Sequence, residues 1–341
     1  MLFTTPAAQA RVLGTALSLH ADATSTVLEV DEGKVKMIRA RDGLSVDVSA
    51  GHFAIAAPKV ELSPRPFLQQ GKKPKPNPKV DQVKVDAAIR SGVAYLKTQI
   101  PRLQKDALNH FYAGQELVLW TLVHAGVPEN DPDYEALLSE MLAGELKFTY
   151  RVSVQAMILE DIDRVKHQAR LALCGQFLLD NEATNGQWGY GKPTPVQPEI
   201  PPMPTKKDVA SGGKPKPPPA GTQVLERVKP KVVRLIPLKR GGTGGTGGDN
   251  SNSQYAALGM LACHDAGIRF PLESLELARN HWRRTIVPDA RMKGVSGAGK
   301  GWYYGLDKLD VTGSMTAGGL GSLVIYNRLL GEDWKADPAA H

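Results

Sequence analysis

Four groups of residues in this chain are of types that could do chemistry. Glu160, Asp161 and Asp163 crowd into "LEDID". Neighbouring carboxylates can turn one of their number into a proton donor, because like charges raise each other's proton affinity. The stretch sits where a helix pattern turns, so it reads as a solvated helix end. Cys263 and His264 are zinc-binding types. Adjacent residues on a helix point about 100° apart, so they do not readily hold one ion between them. "GGTGGTGG" at 241–248 is glycine-rich like a phosphate-cradling loop, but no strand and no Lys-Ser/Thr pair frame it. It reads as a flexible hinge. Polar residues open three helix patterns: Tyr150; then Asp249, Asn250, Ser251, Gln254 and Tyr255; then Thr312 and Ser314. These could bind a ligand through hydroxyl and amide groups, or Asp249 and its neighbours could simply cap a helix. No P-loop, GxSxG or HExxH motif is present. No metal ion and no cofactor are expected.

Two loops repeat one unusual composition. "NGQWGYG" at 185–191 and "GKGWYYGL" at 299–306 each follow a helix pattern and each place Gly beside Trp and Tyr. A tryptophan in such a place can bury a large apolar area while its N–H finds an acceptor. Trp188, Tyr190, Trp302 and Tyr303 therefore read either as staples between neighbouring helical units or as an aromatic lining for an apolar or sugar ligand.

The elements that carry these loops are helical. Apolar residues recur at spacings of three and four over 85–100, with Pro101 ending the run. Further helices are expected over 115–125, 132–143, 150–162, 166–179, 253–265, 272–285 and 314–330. Asp131 is the expected N-cap before Pro132, and Gly144 the expected C-cap. "LWTLVHAGVPENDPDYEALLSEMLAG" (119–144) echoes "GMLACHDAGIRFPLESLELARNHW" (259–282). Helical hairpins thus recur with a period of roughly 45 residues, and such units must stack to bury both faces.

This body, residues 81–341, resembles the prenyltransferase/squalene-cyclase superfamily of α/α-toroids, whose outer helices are followed by "Q…GxW" loops. Gln176 with Gly186, Gln187, Trp188, Gly189 and Tyr190 carries the likeness, as does Gly301 to Gly305. The helix starts at 148–159, 249–262 and 312–323 carry it too. The resemblance implies an α/α-toroid-like array, either an open arc or one closed by a partner. It further implies a concave face lined by the inner-helix starts Tyr150, Asp249, Asn250, Ser251, Gln254, Tyr255, Thr312 and Ser314. The family's chemistries lack their residues here. There is no DxDD acid. Ser251 stands where the prenyltransferases have their zinc-binding cysteine after Asp249. The thioester "GCGEQ" is missing as well.

The first 58 residues read differently. Val35 and Met37, then Val46 and Val48, alternate with polar residues, and Gly33, Gly43 and Gly51 punctuate the runs. This is a β-meander pattern with one apolar face that needs a partner sheet. "FTTPAAQARVLGTALSL", "LEVDEGKVKMIR" and "DGLSVDVSAGHFAIA" resemble part of a FecR-type domain. That likeness implies a sensing or interaction module without catalysis, in the periplasm or cell envelope. Family members carry further strands ahead of this point, so the module resembles a partial one.

The charge balance separates the folded parts from the connectors. Of the net +7, residues 59–80 carry +5 and residues 191–248 carry +8, leaving about −6 elsewhere. In both connectors the cations alternate with proline, as in "GKKPKPNPK" and "GGKPKPPP". This suits a solvated spacer rather than a nucleic-acid surface. The expectation is a Pro/Lys-rich linker at 59–80 and a disordered insertion at 191–248. The apolar patch Val232, Val233, Leu235 and Ile236 in that insertion could stick to a partner or act as a lid. Cys174 and Cys263 read as buried free thiols. No run of 18 apolar residues occurs, so no membrane span is expected. The functional expectation is a mainly α, non-catalytic envelope protein that binds a peptide, lipid or glycan. A protein partner could engage the β module or the basic insertion. The alternatives are a degenerate cyclase or transferase on an apolar substrate, and a carbohydrate-active α/α-barrel enzyme.

Overall fold

The computed structural model describes residues 2–12, 16–21, 25–58, 60–66, 81–105, 114–202, 229–290, 299–305 and 308–332. These fall into two compact units, one built on residues 2–66 and the other on 81–202 and 229–330. The fold is mainly α, with an antiparallel β module at the start of the chain.

The β module supplies its own partner sheet. Its strands are β1 (Leu2–Thr4), β2 (Ala8–Val12), β3 (Ala16–Ala21), β4 (Thr26–Glu32), β5 (Lys34–Arg39), β6 (Ser45–Ser49), β7 (His52–Ala56) and β8 (Arg65–Pro66). They form two four-stranded antiparallel sheets, ordered β1-β2-β5-β6 and β3-β4-β7-β8. The chain changes sheet at Gly33 and at Gly51, whose φ angles of 80° and 76° suit glycine alone. It is thus not a single meander. Alternation puts Val35, Met37 and Val48 of one sheet into the same core as Leu28, Val30, Ala54 and Ala56 of the other. The register keeps those residues on the inner faces: Val35 opposes Val48, and Leu28 opposes Ala54. β8 corrects the linker expectation. Phe53 pairs with Arg65 and His52 with Pro66, so the sheet extends into the stretch read as a spacer. Residues 67–80 lie outside the described residues.

The second unit contains eight helices among the described residues. They are α1 (Gln82–Lys105), α2 (Gly114–His124), α3 (Pro132–Ala143), α4 (Thr149–Asp163), α5 (Gln168–Asp180), α6 (Asn250–Asp265), α7 (Leu272–Thr285) and α8 (Gly313–Leu329). The helix α1 runs through Pro101 instead of stopping there, and gives up one backbone hydrogen bond. Asp131 caps α3, accepting from the Asp133 and Tyr134 N–H groups. The even-numbered helices form a row: α2 packs on α4, α4 on α6, and α6 on α8. The helix α3 packs on α2, α5 on both α4 and α6, and α7 on α8. Inside the row α4 and α6 are surrounded, so buried residues occur on all their faces. The helix α7 is covered on one side only, and buries Leu275, Ala278 and Trp282 at helical spacing.

The two central helices approach closely because Gly259 has no side chain. A Cβ there would lie 2.9 Å from the Ser153 Cα and 3.0 Å from Leu178. Gly259→Val is expected to destabilise the chain by roughly 2–3 kcal/mol through overpacking. Chemical denaturation measures this, and a variant as stable as the parent would show that α4 and α6 do not meet there.

The described parts of the 191–248 insertion are folded, which corrects the expectation of disorder throughout. Residues 229–248 run along α5 from start to end. Arg164 donates to the Pro230 carbonyl at 2.8 Å, Gln168 to that of Arg234 at 2.6 Å, and Arg240 to that of Leu179 at 3.0 Å. Midway, strand β9 (Ile236–Pro237) pairs in parallel with β10 (Ile268–Arg269). Ile236, one residue of the patch read as sticky or as a lid, is buried in the helical core beside Leu238 and so is spent within the chain. Residues 192–201 run beside this strap, tied by Lys192 to Asn181, Thr194 to Asp180, and Arg234 to the Pro201 carbonyl. Residues 203–228 lie outside the described residues. The "GGTGGTGG" segment is no free hinge. Gly244 and Gly248 press against the backbone of Asn181 and Trp188, where no side chain fits. Cys174 and Cys263 are free and buried. No described helix is long and apolar enough to cross a membrane.

Candidate functional site

The two tryptophan loops are built alike, atom for atom. In the first, the Trp188 N–H donates to Ser253 Oγ at 3.0 Å and its carbonyl accepts from the Asp249 N–H at 3.0 Å. Its indole N–H donates to the Leu178 carbonyl of α5 at 2.7 Å. In the second, the Trp302 N–H donates to Thr316 Oγ1 and its carbonyl accepts from the Thr312 N–H, both at 3.3 Å. Its indole N–H donates to the Trp282 carbonyl of α7 at 2.9 Å. Asp249 and Thr312 are the N-caps of α6 and α8, and Ser253 and Thr316 each lie four residues further on.

The residue after each tryptophan ties back to the preceding helix of the row. Thr149, first in α4, donates to the Gly189 carbonyl at 2.7 Å; Asn250, first in α6, donates to the Tyr303 carbonyl at 2.7 Å. Each loop therefore bridges two successive helix starts and hangs its indole on the helix between them. Both indoles are buried, Trp302 against Gly319, where an added Cβ would meet the ring at 2.5 Å. The aromatic-lining reading of the two tryptophans falls with their burial. Tyr190 is not a buried staple: the residue is 51% exposed, and its carbonyl, bonded to the Thr149 N–H, joins the bridge. Tyr303 acts through its carbonyl.

The same bridges bring the predicted helix-start residues to one end of the row and sort them by role. Asp249 is a cap, accepting from the Asn252 N–H at 2.7 Å. Asn250 is buried and spent: besides Tyr303, it accepts from Gln187 at 3.2 Å and pairs with His281 Nε2 at 2.9 Å. Desolvation, then Arg284, pushes His281 down to about 4, so the ring stays neutral. Gln254 lies over Gly318 of α8 rather than facing a cavity. Thr312 caps α8, accepting from the Met315 N–H, and also contacts the exposed Ser314.

What remains is a chain of hydroxyls. Tyr150 bonds Ser251, and Ser251 Oγ donates to the Tyr304 hydroxyl at 3.2 Å. The Tyr150 and Tyr255 rings lie 4.2 Å apart. Desolvation lifts the Tyr150 hydroxyl to about 12, against the bond to Ser251. At neutral pH it is a protonated hydrogen-bonding group and not a base. Tyr304 is 40% exposed and was missed as a candidate. The signal was available: it stands two residues after Trp302, as Tyr190 does after Trp188.

The carboxylates are occupied elsewhere. "LEDID" is not a solvated end. Glu160 is buried against Lys229, and Asp161 holds Lys229 at 2.7 Å, the Trp120 indole at 3.0 Å and His124 at 3.2 Å. Desolvation raises the Asp161 carboxyl, but Lys229 and Trp120 outweigh it and hold it below its usual range. Asp180 accepts from the Gly241 and Gly242 N–H groups, from Gln176 and from Thr194. Glu182 is fully buried between Arg240 and Ser274. Among the described residues, no group of three His, Cys, Asp or Glu could hold a metal ion. Comparison of the chain with family models, curated proteins and solved structures finds no match in any of the three.

Two outcomes are expected. Trp188→Ala and Trp302→Ala should each lower stability by roughly 3–5 kcal/mol; denaturant curves matching the parent would mean the indoles carry no load. Desolvation lifts Glu182 from 4.5 to about 7, against Ser274 and Arg240. The folded state thus holds this proton more tightly than the unfolded chain. Its contribution is full below 4.5 and fades as pH rises towards about 7. Relative to Glu182→Gln, the parent should lose stability across that window, and a pH-independent difference in melting temperature would refute the burial argument.

Proposed function

We propose that this chain is a non-catalytic binding protein of the cell envelope. Its helical body is of the α/α-toroid type, its β module is of the FecR type, and a peptide, lipid or glycan is held at the end where α4, α6 and α8 begin. The observation that carries the reading is the hydroxyl chain Tyr150–Ser251–Tyr304, with the Tyr255 ring packed at a tilt against Tyr150. Aromatic rings with polar tips bind ligands that are part apolar and part hydrogen-bonding, and they lose little conformational entropy in doing so. The tryptophan loops support the toroid-type reading, since each follows a helix outside the row, as the family's "Q…GxW" loops follow outer helices. A location in the envelope follows from the FecR resemblance.

The test is a screen of the intact protein against peptide, phospholipid and oligosaccharide arrays, followed by titration of any hit. Tyr304→Ala and Ser251→Ala should each weaken binding by roughly tenfold, the scale of one lost aromatic or hydrogen-bond contact. The melting temperature of Tyr304→Ala should stay at the parent value. A screen without a ligand, or a ligand indifferent to both substitutions, sinks the reading.

A further inference from the structure

The strap along α5 ends in a latch. Residues 240–244 are pinned to the end of α5 and the turn after it. Gly241 and Gly242 donate to Asp180 Oδ1 at 2.7 and 3.0 Å. Arg240 donates to the Leu179 carbonyl at 3.0 Å and to the Glu182 carboxylate, and Gly244 donates to the Glu182 carbonyl at 3.0 Å. Glu182 itself is fully buried. One of its oxygens is held by Arg240 and by Ser274 of α7. The other, Oε1, is buried with no hydrogen-bond partner among the described residues. Two further groups face it: Glu273 at the start of α7, which repels its charge, and Tyr326 of α8, whose hydroxyl is kept protonated by burial and then by Glu182.

We propose that this latch is operated by a proton: it stays shut while Glu182 is protonated and lifts off α5 when the carboxyl ionises. A charge on a fully buried carboxyl with one unpaired oxygen is costly, and lifting residues 240–244 lets water reach it. Arg240 does not make good the lost hydration. Desolvation outweighs Ser274 and Arg240 and lifts the group from 4.5 to about 7. With the latch open the carboxyl meets water and returns towards 4.5. The shut state therefore holds the proton more tightly than the open one. Its advantage is full below 4.5 and is lost as pH rises through about 7. Ionised Glu182 paired with Arg240 is thus the weaker form of the latch, and the neutral acid the stronger. The loss of stability with rising pH then falls on residues 240–244 and not on the whole helical unit.

Hydrogen exchange of the intact chain, corrected for the intrinsic pH dependence of amide exchange, tests this. The amides of Gly241, Gly242 and Gly244 should lose protection by roughly 50-fold between about pH 5 and pH 8, while those in the middle of α6 keep theirs. In Glu182→Gln the same three amides should show no such loss. Ser274→Ala removes a bond that favours the ionised form, so in that variant the loss should move to higher pH. Unchanged protection in the parent overturns the proposal. So does an equal loss in Glu182→Gln, an equal loss within α6, or a Ser274→Ala profile that stays in place. This experiment reads the strap and needs no ligand, so it can fail or succeed apart from the binding reading.

Discussion

One constraint organises the helical unit: each tryptophan loop must bond two helix starts at once, the following one through the N–H of its cap residue and the preceding one through the side chain of its first residue. The first N–H groups of a helix have no partner inside it. At α6 and α8 the N-cap side chain serves one of them, and the tryptophan carbonyl takes the N–H of the cap residue itself. The indole then fills the space beneath and finds its own acceptor on the preceding helix. Burying so large a ring without that acceptor would leave an unpaired N–H, at a cost of roughly 1–3 kcal/mol. Because both requirements meet in a single residue, the spacing between successive helix starts is set locally, twice, by the same geometry.

From that spacing follows the sorting of the polar residues. Helix starts brought side by side place Tyr150 next to Ser251, and Ser251 next to Tyr304. Residues one position away, Asn250 above all, are consumed in holding the bridge. In α4 and α6, position in the turn separates the two roles: the first residue, Thr149 or Asn250, bonds a loop, while the second, Tyr150 or Ser251, bonds across the row. The strap along α5 follows a different logic. It covers the one helix that packs against both central members of the row, and its ends are fastened by charged groups, Lys229 on Glu160 and Asp161, and Arg240 on Glu182. These acids lie at helix ends, buried or half-buried, where they would be costly without a cation.

Much of this was legible beforehand. Apolar spacing located the eight described helices to within a few residues, and alternation located the strands between Thr26 and Ala56. The caps Asp131 and Asp249, and the kinship of the two tryptophan loops, could also be read, since caps and stapling aromatics depend on local residue types. Pro101 misled because a proline costs a helix one bond, and packing of the surrounding turns outweighs that. The strap misled more. Glycine, proline and lysine are the composition of a spacer, yet its hydrogen-bond partners, from Arg164 to Asp180, lie about 60 residues away in sequence.

Composition and periodicity by themselves determined what is local: which segments are helix or strand, where they are capped, and which two loops are copies of one device. Only the tertiary structure decided which polar residues meet. Ser251 and Asn250 are neighbours of similar chemistry, and nothing in the string says that one bonds two tyrosines while the other is buried under Tyr303 and His281. That choice depends on the rotation of α6 within its row, which is set by contacts with α4 and α8 at Gly259 and Gly318. The physical reason is range: capping and periodicity act over a few residues, whereas packing sums over helices that the chain brings together from far apart.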